Sequence, residues 1–140
     1  MHEPYDNDNV FAKILRQEIP SIKVYEDEHT LAFMDVMPQI DGHVLVIPKE
    51  HAATIFELSD TAALACMRTV KKVGKAVQAA MDAPGITTFQ QNGKGIGQTV
   101  PHFHIHVLPG SLQNLRGHAV QFADPEVLKA FAAKIISHLD

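Results

Sequence analysis

Between His102 and Val107 the chain alternates strictly, with His102, His104 and His106 separated by Phe103, Ile105 and Val107. Period two belongs to an extended strand, where successive side chains point to opposite faces. The run therefore sets three imidazoles in a row on one face and an apolar stripe on the other. One face is core and the other is a site. Imidazole changes charge near neutral pH, so such a row can supply a nucleophile, a proton donor and phosphate contacts together. Spacing alone leaves a second reading open, because His-x-His on a strand also ligates metal ions, zinc above all.

Immediately upstream lie Asn92, the glycine-rich stretch Gly93-Lys94-Gly95-Ile96-Gly97, Gln98 and Thr99. Glycines let backbone N–H groups approach a ligand and form an anion-binding concavity, and the Asn, Gln and Thr side chains add neutral donors. Next to the histidines this reads as a phosphate cradle rather than an ordinary hairpin connection. No Gly-Lys-Ser/Thr opens a helix here, which excludes a P-loop, and a strand follows, which excludes the dinucleotide fingerprint.

The rest of the chain supplies a frame for that strand. Val10, Phe11, Ile14 and Leu15 recur at helical spacing over Val10–Gln17, with Asp8 or Asn9 as cap and Pro20 as a stop. Ile22–Glu26 and Thr30–Met34 flank an acidic turn and predict a hairpin, and His43–Ile47 predicts a third strand. Leu64, Met67, Val70, Val73, Val77 and Met81 predict one long helix over Asp60–Met81, with Ser59 or Asp60 as cap and Pro84-Gly85 as stop. Strands at Gly85–Gln91 and His102–Pro109 follow, then a terminal helix over 124–139 opened by Asp124-Pro125. Strands adjoin in hairpins instead of alternating with helices, so the expected fold is α+β, an antiparallel sheet of about five strands with a long helix and terminal helices. All 140 residues form one expected domain, with residues 1–8 as a loose acidic arm.

Composition closes off several function classes. The net charge is −4 with no basic stripe, so polymeric nucleic acid is not an expected partner. The single cysteine, Cys66, cannot form an intramolecular disulfide and sits within the long helix pattern as a small core residue. No apolar run reaches the roughly 18 residues of a membrane span, and Glu3, Asp6 and Asp8 stand where a secretory signal would be basic, so the cytoplasm is the expected location and no membrane is an expected partner. His2, His29, His118 and His138 fall into no usable arrangement.

His102-Phe103-His104-Ile105-His106-Val107-Leu108, preceded by Gly97-Gln98-Thr99-Val100, resembles the signature of the histidine triad (HIT) family. Phe11-Ala12-Lys13-Ile14, Glu18-Ile19-Pro20, Phe33-Met34-Asp35-Val36-Met37-Pro38, Gly42-His43-Val44-Leu45-Val46-Ile47-Pro48-Lys49 and His51 are similar to its bacterial Hint-like branch, roughly from Asp8 to Pro109. The resemblance implies a purine-nucleotide hydrolase or transferase acting at the α-phosphate, phosphoramidase-like with an AMP-type ligand, and a homodimer whose sheets join into one. It implies that His104 is the nucleophile, that His106, Gln98 and Asn92 contact the phosphate beside Gly97, with His102 completing the triad, and that Thr99 lies near the leaving group. Asp35 would accept the ribose hydroxyls, since a carboxylate offers two acceptor oxygens; a plain turn residue before Pro38 is the alternative. Val36, Phe11, Ile14 and Phe33 would form the slot for the base, or equally the core.

Many bacterial members of that family hold a zinc with a Cys-x-x-Cys pair and histidines that align with His51 and His102. Asn9 and Ala12 occupy the paired positions here, and two imidazoles do not close a four-ligand structural site, so neither metal nor cofactor is expected. His43 and His51 are then expected beside the site or at the surface. A dinucleoside polyphosphate hydrolase, and a nucleotide-binding regulatory protein with incidental hydrolysis, stand as alternative functions.

Overall fold

The structure, a computed structural model, describes residues 4–116 and 121–140; Glu3 of the acidic arm, His2 and His118 lie outside them. Helix α1 (Val10–Leu15) starts where the Asn9 side chain accepts the Ala12 N–H at 2.9 Å and ends before Gln17, whose positive φ of 64° breaks the helical path. Strands β1 (Lys23–Glu26) and β2 (Thr30–Met34) form the expected hairpin, closed by Asp27, whose carboxylate accepts the N–H groups of His29 and Thr30. Strand β3 (Val44–Pro48), helix α2 (Asp60–Ala80), strands β4 (Ile86–Phe89) and β5 (Ile105–Pro109) and helix α3 (Pro125–Ile136) complete the chain. Ser59 caps α2, and Asp124 caps α3 with Pro125 at its first position.

The five strands make one antiparallel sheet in the order β1-β2-β3-β5-β4. Its period-two alternation sorts side chains between two cores. Ala32, Met34, Val44, Val46, Ile105 and Val107 point to the side covered by α2 and α3, together with Val73, Val77 and Cys66. Leu31, Phe33, Leu45 and Ile47 point to the other side, where Phe11 of α1 packs on them. Each fully buried valine of α2 contributes about 1.5–3 kcal/mol of apolar burial. Gly74 lets α2 lie close to β4, because a Cβ there would sit 2.6 Å from the Ile86 side chain.

Two expectations change. Strand β5 begins at Ile105 rather than His102, since the Phe103 N–H leaves the ladder to donate to Ala52 O at 2.8 Å. The arm is not loose over its described part either: Tyr5 is tied into the molecule by ring contacts and hydrogen bonds. Among the described residues no helix is long and apolar enough to cross a membrane.

Candidate active site

Pairing of Leu45 with His106 across β3 and β5, and of Phe89 with His106 across β4 and β5, seats His106 in the middle of the sheet on the α1 side. There it stacks on Phe89 with ring centroids 4.0 Å apart. His104 lies one step along the same face, edge-on to Phe11 at 5.0 Å. Both imidazoles are buried, 6% and 2% exposed, yet both form part of the wall of a cavity of about 330 Å³ between α1 and the sheet, at the lower end of the roughly 300–1,000 Å³ usual for small-molecule sites. The rest of the wall is mostly apolar.

The hydrogen bonds assign the tautomers. His104 Nδ1 lies 2.7 Å from the His102 carbonyl, so it carries the proton and donates, and Nε2 carries the lone pair. His43 Nδ1 accepts the Gln39 N–H at 3.1 Å, so the His43 proton is on Nε2, which donates to His106 Nδ1 at 2.9 Å. His106 therefore carries its proton on Nε2. Asp35 Oδ2 stands 3.5 Å from His43 Nε2, and Asp35 Oδ1 accepts the Met37 N–H at 2.8 Å. Asp35 thus closes a turn and also forms part of the cavity wall. Asp35, His43 and His106 offer one metal-ligand atom each within 4.8 Å of one another. The donor set does not suit a cation, because the only acceptor nitrogen of His43 already takes a backbone N–H and its other nitrogen bears a proton.

His102 is not part of the cavity wall. Its Nε2 donates to Pro48 O at 2.9 Å, and its Nδ1 accepts the Tyr5 hydroxyl at 2.6 Å. Burial pushes this imidazole down to about 4, against the pull of the Pro48 carbonyl, with His104 and His51 lowering it further. It is neutral at pH 7. The Tyr5 phenol is raised by burial, opposed by its bond from Asn9.

Of the residues singled out from sequence, Phe11, Ile14, Phe33, Asp35, Val36, Thr99, His104 and His106 form part of the cavity wall, whereas Asn92, Gly97, Gln98 and His102 do not. Gln98 spends its amide on the loop itself, accepting from Gly93 N at 2.7 Å and donating to Ala53 O and Val100 O. Asn92 accepts from Ile55 N at 2.7 Å and pairs with Gln90. Gly97 adopts φ +112°, and a Cβ there would meet the Gln91 amide at 2.9 Å. These residues brace the loop that delivers Thr99 to the cavity.

Sequence reasoning missed two residues, Phe122 and Tyr5. His43, expected beside the site or at the surface, is fully buried beside His106. Its signal was its phase, in step with the inward Leu45 and Ile47 of an apolar strand. Phe122, 68% exposed, forms part of the cavity wall, and the neighbouring Ala123 N–H donates to Val36 O. Tyr5 sat in an aperiodic segment with no signal.

Comparison with known proteins agrees with this geometry. The family model for the HIT domain matches residues 16–112. The chain is 37% identical over 133 residues to the adenosine 5'-monophosphoramidase hnt1 of Schizosaccharomyces pombe, spanning 93% of this chain and 97% of that protein. The crystal structure of a HIT-like protein described as involved in cell-cycle regulation, from Bartonella henselae, superimposes with a TM-score of 0.86 at 41% identity, over 96% of this chain and 99% of that one. A zinc-bound histidine triad family protein from Mycobacterium smegmatis does so with a TM-score of 0.80 at 27% identity, over 94% and 93%. An antiparallel five-stranded sheet presenting His104 and His106 to a cavity defines the class, and this chain belongs to the HIT family.

Proposed function

We propose that the protein is a nucleotide hydrolase that cleaves nucleoside 5'-phosphoramidates, or related nucleotidyl conjugates, at the α-phosphate through a covalent nucleotidyl-His104 intermediate. The observation that carries this reading is the 2.7 Å bond from His104 Nδ1 to the His102 carbonyl, which leaves the Nε2 lone pair as the nucleophile on a cavity-wall imidazole. Nε2 attacks the α-phosphorus, the P–N bond to the amine breaks with its electron pair on the leaving nitrogen, and that nitrogen takes a proton from solvent water as it departs. Water then attacks the same phosphorus and returns a proton to solvent, the P–Nε2 bond breaks with its electron pair going back to Nε2, and the nucleoside monophosphate is released. One hard displacement becomes two easier ones, because a protonated imidazole is a good leaving group.

In this reading the Nε2–H of His106 donates to a phosphate oxygen whose charge grows in the transition state. Thr99 stands near the leaving group, and Gln98, Asn92 and Gly97 hold the phosphate-side loop in shape. Asp35 accepts the ribose hydroxyls, while Phe11, Ile14, Phe33 and Val36 enclose a purine. The relative from Schizosaccharomyces pombe, an adenosine 5'-monophosphoramidase by name, supports an AMP-type substrate. We further infer one HIT-like domain acting as a homodimer in the cytoplasm, without a cofactor, and without polymeric nucleic acid or a membrane as partner.

The test is side-by-side hydrolysis of adenosine 5'-phosphoramidate and a diadenosine polyphosphate, with mass spectrometry of the acid-quenched protein. Preference for the phosphoramidate and a nucleotidyl adduct on His104 are the expected results. Nucleotide binding without turnover of either compound overturns the enzyme reading in favour of a binding protein.

A further inference from the structure

The His102 carbonyl that orients His104 belongs to a residue outside the sheet ladder, because β5 starts only at Ile105. Something else must fix it. The structure shows a directed run of hydrogen bonds that ends on this residue. Asn9 Nδ2 donates to the Tyr5 hydroxyl oxygen at 2.9 Å, the Tyr5 O–H donates to His102 Nδ1 at 2.6 Å, and His102 Nε2 donates to Pro48 O at 2.9 Å. Each hydrogen has an acceptor and the polarity runs one way throughout. Asn9 is itself pinned, its Oδ1 capping α1 through Ala12 N and its Nδ2 also reaching Asp6 O at 2.8 Å. The Tyr5 ring lies flat on His51, centroids 4.8 Å apart and planes 9° from parallel, and edge-on to His102 at 5.7 Å.

These are the positions at which the family resemblance would set a zinc ion, and the residues present do not fit one. Ala12 offers no ligand atom, Asn9 is used as a helix cap, and both ring nitrogens of His102 are committed, one of them as a donor to a carbonyl. A zinc ligand must present a lone pair, and no set of four remains.

We propose that Tyr5 is a positioning residue for His104: with Asn9 and Pro48 it clamps His102 by hydrogen bonds and an edge-on ring contact, without a metal, and so fixes the carbonyl that orients the nucleophile. The proposal rests on His104 being the nucleophile, and it reaches further, because the same run ties the cap of α1, the helix that carries Phe11 and Ile14 of the cavity wall, to the orientation of the reacting imidazole. A small error in the geometry of a reacting group can cost up to about a hundredfold in rate, so a loosened clamp reads out in kcat.

Tyr5→Phe tests this with little change of shape, since it keeps the ring on His51 and deletes only the hydroxyl. The expected result is a fall in kcat of about tenfold on adenosine 5'-phosphoramidate with KM within twofold. Nitrogen-15 spectra of the imidazoles should show His104 passing from a single Nδ1–H tautomer to a mixture. Unchanged kcat and tautomer, with only a lower Tm, would make Tyr5 a structural residue and overturn the proposal. If Tyr5→Phe does not fold, Asn9→Ser takes its place, keeping the cap on Ala12 N but losing the donor to Tyr5; an unaltered His104 spectrum there overturns the proposal equally. Should wild type turn over neither substrate, the hydrolase reading falls while the tautomer comparison still decides the clamp. One equivalent of zinc in untagged protein purified without chelator, lost together with the His102 signal positions on dialysis against EDTA, would sink the metal-free claim.

Discussion

Two runs of polar contacts flank His104, and they differ in where they end. On one side His106 is hydrogen-bonded to His43, whose Nε2 also stands 3.5 Å from Asp35, a carboxylate on the cavity wall. On the other, His102 leads to a backbone carbonyl and a half-buried phenol. Both contain a buried imidazole two residues from His104 in sequence. The first run ends on an ionisable group that a ligand can touch, so charge arriving in the cavity can be felt along it. The second ends on groups that do not change charge near neutral pH, and it can only hold. In the proposed mechanism identical residue types at identical spacing thus serve chemistry on one side and architecture on the other, and the partners beneath them decide which.

The largest effect should come from the atom between the two runs. His104→Ala is expected to lower kcat by at least about a thousandfold and to abolish the nucleotidyl adduct, with Tm little changed. Steady-state rates with quenched mass spectra check it. Activity within tenfold of wild type would mean that neither run serves a nucleophile.

Next in size is the energetic signature of the holding side. With its folded value at about 4 against an ordinary 6.5, His102 takes up a proton more readily in the unfolded chain. Stability is therefore full above pH 6.5 and is lost as the pH falls from 6.5 toward about 4, by up to about 3 kcal/mol from this residue. Urea unfolding at a series of pH values should show that slope in wild type and a flatter one in His102→Gln. Superimposable slopes would show that His102 is not the frozen member of the pair.

The chemical side is probed by His43→Leu, which offers neither a donor nor an acceptor. Losing the Nε2–H donor to His106 Nδ1 frees that ring to adopt the other tautomer, which puts a lone pair toward the cavity. A loss in kcat of about 30- to 100-fold is expected, within the range for proton-managing groups. A loss comparable to that of Tyr5→Phe would erase the distinction between the two runs.

How much of this was readable from the chain follows the same division. The alternation from His102 to Val107 placed Phe103, Ile105 and Val107 in one core and His104 and His106 on the opposite face, because strand periodicity is local. The start of the strand was misplaced by three residues because Phe103 N–H goes to Ala52, a partner that no local pattern reveals. Capping chemistry at Asn9, Ser59 and Asp124 was legible for the same local reason. The bond between Tyr5 and His102 spans 97 residues and arises from an aperiodic arm, so nothing in the sequence announced it. Asn92 and Gln98 carried donors of the right kind beside the right strand, but composition does not say whether an amide faces a ligand or its own loop.

Asp35 shows the limit of residue type as evidence and yields the smallest expected effect. One oxygen closes the turn through Met37 N, and the other stands near His43 on the cavity side. Asn at this position keeps an oxygen for the Met37 N–H but replaces the second acceptor with a donor and removes the charge. The expected result is an increase in KM of about tenfold, the loss of about 1.4 kcal/mol of hydrogen bonding to ribose, with Tm within a few degrees of wild type. Deoxyribose analogues of the substrate should show little further loss in the variant, since the acceptor they fail to engage is already gone. A normal KM with a lowered Tm would assign Asp35 to the turn alone, and the first run would then end at His43 with no ionisable group in reach of a ligand.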